Sequence, residues 1–85
     1  MLDENIVEVI DRAFIDNALP APSSSYDYTP KSFDLYTVIS WLEYDRGVRL
    51  TERETVELEE ALKQGNWYEY FYNLMKKYIK RKKTA

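Results

Sequence analysis

Apolar residues recur along most of this chain at the three- and four-residue spacing of a single helix face. In the segment Leu2 to Ile15, Leu2, Ile6, Val9, Ile10, Ala13 and Phe14 share one side while Glu4, Glu8 and Asp11 gather on the other, which predicts an amphipathic helix. Asn17 to Pro30 then holds all three prolines and the run Ser23-Ser24-Ser25, a composition that cannot continue a helix and predicts one long loop. A second helix is predicted from Ser32 or Asp34, either of which can cap free N–H groups, to Gly47, with Leu35, Val38, Ile39 and Leu42 as its inner stripe.

Val48-Arg49-Leu50 is too short for an element and is read as a linker. Thr51-Glu52-Arg53-Glu54 has the residues of a capping box, in which each end residue's side chain accepts the other's backbone N–H, so a third helix starts here. Its apolar stripe of Thr55, Leu58, Ala61 and Leu62 is narrow and set among glutamates, which predicts a place at the edge of the core, and Gly65 ends it. Asn66 can cap a last helix from Trp67 to about Lys80. The pattern as a whole predicts an all-α fold: a small single-domain bundle of four helices over residues 1–80, with a long Pro/Ser/Tyr loop after the first helix and a basic flexible tail at 81–85.

Composition narrows what such a bundle can do. The chain has no cysteine and no histidine, so it lacks disulfides, a thiolate nucleophile, the usual neutral-pH base and the commonest metal ligands. No phosphate-binding glycine loop, zinc spacing, calcium loop or nucleophile elbow occurs, and no catalytic residue, metal or cofactor is expected. No stretch reaches the roughly 20 apolar residues of a membrane span, which points to a cytoplasmic protein without membrane association. Charge is uneven. Residues 1–65 carry 14 acidic and 6 basic side chains, net −8, whereas residues 66–85 carry 1 acidic and 6 basic, net +5.

Two helices have more apolar surface than one core face uses. On the last helix, Trp67, Tyr70, Phe71, Leu74 and Tyr78 form a face that Tyr68, Tyr72, Met75 and Ile79 widen to roughly 200°. A central helix packed on two sides is the first explanation of this arc, and the alternative is that Tyr68, Tyr72 and Ile79 face a partner or a second copy of the chain. On the second helix, Phe33, Tyr36 and Tyr44 fall on the side away from Leu35, Val38 and Leu42, with Trp41 at the margin. The candidate partner-binding set is therefore Phe33, Tyr36, Trp41, Tyr44, Tyr68 and Tyr72, because Tyr and Trp give large rigid contact area at little entropic cost. In the long loop, Tyr26 and Tyr28 either form a recognition segment or fold back over the core.

The charges have parallel readings. Lys76, Lys77, Lys80, Arg81, Lys82 and Lys83 can neutralise phosphates, with Tyr78 stacking on bases, or can complement the helix dipole and pair with acids on neighbouring helices, Lys76 and Lys80 foremost. Glu4, Glu8 and Asp11, and Glu52 to Glu60, are either solvated faces or surfaces that dock on a basic groove. The expected function is a small non-catalytic binding protein, an inhibitor or adaptor that meets a protein partner through exposed aromatics and an acidic surface. A phage or mobile-element inhibitor of a host nucleic-acid-binding protein has this profile; a nucleic-acid-binding module using the basic helix end is the alternative, and a homodimer is compatible with either.

Overall fold

The computed structural model of the protein describes residues 3–84 of the backbone, with side chains described as far as Ile79. Within them lie four α-helices and one short 3-10 turn: α1 (Glu4–Ile15), the turn Pro22–Ser24, α2 (Ser32–Arg46), α3 (Glu52–Gln64) and α4 (Trp67–Thr84). The fold is all-helical, with no strand among the described residues. No described helix is long and apolar enough to cross a membrane.

Each boundary has a local cause. Asp3 caps α1 by accepting the Asn5 N–H at 2.9 Å, so the helix starts at Glu4; Leu2, where the apolar pattern begins, lies outside the described residues. At the start of α2, Asp34 reaches back to accept the Lys31 N–H at 3.2 Å. Thr51 and Glu54 make both bonds of the predicted capping box, at 3.1 and 2.9 Å. Gly47 and Gly65 end α2 and α3 in the left-handed conformation, with φ of 68° and 86°.

The α1 terminus differs. There the left-handed position is Ala18, at φ 61°, while the Leu19 N–H returns to the Phe14 carbonyl at 2.9 Å. α4 continues to Thr84, past the Lys80 where its apolar pattern fades. Lysine and arginine are good helix formers and suit the negative end of the dipole, so the backbone stays helical without an apolar face.

The helices enclose one contiguous core. α1 contributes Ile6, Ile10, Ala13 and Phe14, α2 Leu35, Val38 and Leu42, α3 only Leu58 and Ala61, and α4 Trp67, Phe71, Tyr72, Leu74 and Met75. Val48 of the linker is buried as well. α4 packs on both α1 and α3, and α2 packs on α1, so α4 is the central helix and α3 the peripheral one. Phe14 is the aromatic hub, with ring centroids 5.7 Å from Trp67, 6.0 Å from Tyr28 and 6.1 Å from Phe71.

The long loop is held down at two places. Asp11 of α1 accepts hydrogen bonds from the backbone N–H and the hydroxyl of Ser23. Further on, Tyr28 lays its ring edge-on against Phe14 and Trp67. The fold-back alternative thus describes Tyr28, whereas Tyr26 two residues earlier is fully exposed.

Candidate functional site

The tyrosines sort by what their hydroxyls touch. Tyr72 is buried, at 7% exposure, and its hydroxyl accepts the backbone N–H of Asp3 at 2.7 Å, tying the start of α1 to α4. The width of the α4 arc here serves packing on α1, and the edge of Tyr72 that stays accessible lines, with Tyr68, an open hollow of about 470 Å³. Tyr68 is half-buried with its ring against Trp67 at 5.6 Å, and its hydroxyl has no partner among the described residues. Burial, then the charge of Asp11, raises its phenol above the ordinary range, so it too belongs to the wall of the core.

Three further tyrosines bind glutamates of α3, a pattern the sequence reading missed. Tyr70 donates to Glu57, Tyr78 to Glu54 and Tyr36 to Glu59, the last at 3.2 Å. Burial, followed by the hydrogen bond and charge of Glu57, pushes the Tyr70 phenol up to about 12. For Tyr70 and Tyr78 the signal lay in the hairpin, because Gly65 and Asn66 fold α4 back along α3, whereas Tyr36 reaches Glu59 from α2.

Glu54 is the centre of this seam. Burial by itself would raise its carboxyl, but hydrogen bonds from Tyr78, the Thr51 N–H and Lys77, with the Lys77 charge, hold it down to about 2. The Lys77 ammonium lies 3.0 Å from its carboxylate. The basic cluster therefore does pair with a neighbouring helix, but through Lys77; Lys76 is exposed and makes no ion pair among the described residues. The side chains of Lys80, Arg81, Lys82 and Lys83 lie outside the described residues.

The acidic surfaces are correspondingly reduced. Glu54, Glu57 and Glu59 are held by tyrosines, and Glu57 also meets Arg53 at 3.6 Å, while Glu60 meets Lys63 at 3.9 Å. On α1, Asp11 holds the loop, which leaves Glu4 and Glu8 exposed. Near the outer side of α2, the acids Asp34, Glu43 and Asp45 lie among the basic residues Lys31, Arg46 and Arg49, of which Arg46 lines a hollow against α1. Two local pairs form among them, Arg49 with Glu43 at 3.5 Å and Arg46 with Asp45 at 3.4 Å.

What remains is a face of α2. Phe33 is 78% exposed and Tyr44 is 91% exposed, with Tyr36 beside them at 46%. Phe33 and Tyr44 are 11 residues apart, about three helical turns, so they stand one above the other on a single stripe, with Thr37 and Ser40 between them. Trp41 is half-buried and packs against the core, which makes it a support of this face and not part of its tip. Of the six candidate residues, the fold thus brings Phe33, Tyr36 and Tyr44 to one exposed surface and assigns Trp41, Tyr68 and Tyr72 wholly or partly to packing.

Other clefts are less defined. An open hollow of about 470 Å³ is lined by Asn5, Glu8, Val9 and Arg12 of α1 and by Arg46, and a small notch between α2 and α3 is lined by Leu35, Tyr36, Ile39 and Leu58 among others. Each holds a single carboxylate, Glu8 in the first and Glu59 in the second, so neither presents the paired acids that general acid–base chemistry uses. No protein family, curated protein or solved structure matches this chain.

Proposed function

We propose that this protein is a non-catalytic docking protein whose outer α2 face, formed by Phe33, Tyr36 and Tyr44, seats against another protein. One observation carries this: Phe33 and Tyr44 stand almost wholly in solvent on one stripe, although the other large aromatics of the helices are used by the core or by hydrogen bonds to it. Burying a ring of that size removes apolar area worth about 2 kcal/mol, and aligned rings on a rigid helix lose little entropy on binding. Glu43 and Asp45 beside these rings are held in local ion pairs with Arg49 and Arg46, which supports an apolar, shape-based encounter over charge-driven docking on a basic groove. An adaptor or an inhibitor would work alike, by occupying the partner's surface.

Affinity capture of the tagged protein from its native extract, with and without nuclease, tests this. Proteins retained in both samples and lost from an F33A/Y44A bait support docking through α2. Retention only without nuclease, and unaffected by F33A/Y44A, would overturn it in favour of nucleic acid bound through the basic end of α4.

A further inference from the structure

The segment between α1 and α2 is attached to the bundle unlike any helix. No residue from 20 to 29 is fully buried, and Tyr28 is its one hydrophobic side chain packed against the core. Among the described residues, the only hydrogen bonds that tie this stretch to a helix are the two that Asp11 accepts, from the Ser23 N–H at 3.2 Å and from the Ser23 hydroxyl. Its other bonds are internal, the Ser24 N–H to the Ala21 carbonyl at 3.0 Å and the Tyr28 N–H to the Ser25 carbonyl at 3.2 Å. Pro20 and Pro22 restrict its backbone further, so it holds its own shape.

From this we infer that residues 20–29 form a strap that lifts off the bundle as one unit while the four helices stay folded, with the Asp11–Ser23 pair as its latch. Its ends stay in place. Leu19 is held by its N–H on the Phe14 carbonyl at 2.9 Å, and Pro30 is buried at the entry to α2.

The closed strap is balanced at Tyr28. Its ring lies edge-on against Phe14 and Trp67, at centroid distances of 6.0 and 6.5 Å, while its hydroxyl is buried without a partner. Ring contact favours closure, whereas the hydroxyl regains water on opening. The latch is exposed, so water competes for both of its bonds. Opening takes one ring out of the core and leaves every fully buried hydrophobic residue on an element that does not move, which sets its cost below that of global unfolding. It uncovers the sides of Phe14 and Trp67 that Tyr28 lies against, an aromatic surface hidden in the closed state.

Native-state hydrogen exchange of the full chain, followed amide by amide, tests this. The Ser23, Ser24 and Tyr28 amides should exchange together, faster than the helical amides of Ile10 and Phe71 and slower than those of an unfolded chain. Asp11→Ala removes both latch bonds and puts a better helix former into α1, so it should speed the Ser24 and Tyr28 amides about 10-fold without speeding Ile10 or Phe71. Tyr28→Phe keeps the ring and removes the unpartnered hydroxyl, so it should slow the Ser23 and Ser24 amides about 5-fold. Strap amides that exchange at the rates of Ile10 and Phe71 would overturn the inference, because the strap then opens only with the bundle, and so would strap amides with no protection, because it is then never closed. An Asp11→Ala chain in which Ser24 speeds up and Tyr28 does not would equally contradict it, as the mark of piecewise fraying.

Discussion

Ala18 occupies a left-handed backbone conformation, φ 61°, that costs a residue with a Cβ about 1 kcal/mol and costs glycine nothing sterically. Gly47 and Gly65 fill the corresponding places after α2 and α3. Ala18→Gly should therefore stabilise the fold by roughly 0.5 kcal/mol after the extra freedom glycine has when unfolded, read as a rise in thermal midpoint. At the aromatic positions, depth decides the outcome. Phe33 and Tyr44 touch solvent, so replacing both with alanine should change stability by no more than about 0.5 kcal/mol each in chemical denaturation. Their exposure was legible in the sequence because they sit opposite a stripe of Leu35, Val38 and Leu42. That of Tyr72 was not, since helical phase alone cannot say that α1 would cover it and that the Asp3 N–H would find its hydroxyl.

Among elements, α3 is the least apolar helix of the bundle and is held largely by its polar seam with α4. Glu54 has a folded-state carboxyl at about 2 against an ordinary 4.5. A depressed carboxylate contributes stability that is fully present above the ordinary value and is lost as pH falls from about 4.5 through about 2. Glu54→Gln should thus weaken the fold near neutral pH by about 1–2 kcal/mol while flattening the acid limb of the stability curve between those values. Parallel thermal melts of both chains across pH 2–7, windows set by these carboxyl values, check the sign. Helix limits at this scale were legible wherever a cap had a sequence signature, as at Thr51, Gly47 and Gly65. Two features had none: the loop that Asp11 and Ser23 pin to α1, whose composition suggested poor packing, and the helical run from Lys80 to Thr84, where no apolar face marks the continuation.

For the whole molecule, the radius of gyration of 11.9 Å equals the ~12 Å expected of a compact chain of this length. With one core and no disulfide, stability depends on a few central rings. Phe14 touches the loop, α1 and α4 at once, and Phe14→Ala should cost about 3–5 kcal/mol, enough to unfold much of a domain whose total stability is on the order of 5–15 kcal/mol. The acidic body and basic end read from the sequence resolve differently at this scale, because tyrosines and Lys77 absorb much of the α3 charge and two of the acids of α2 are in local ion pairs. What remains as the proposed docking surface is small, a pair of rings on one helix.

The most direct test sets wild-type and F33A/Y44A proteins side by side and measures protein association, to self or to extract partners, at matched helicity and thermal midpoint. The fold predicts that the variant keeps its midpoint within about 8 °C, as expected for two substitutions at exposed sites in a domain of this size, and loses association. Undiminished association by an equally folded variant would show that the α2 face is idle and that docking through it is wrong.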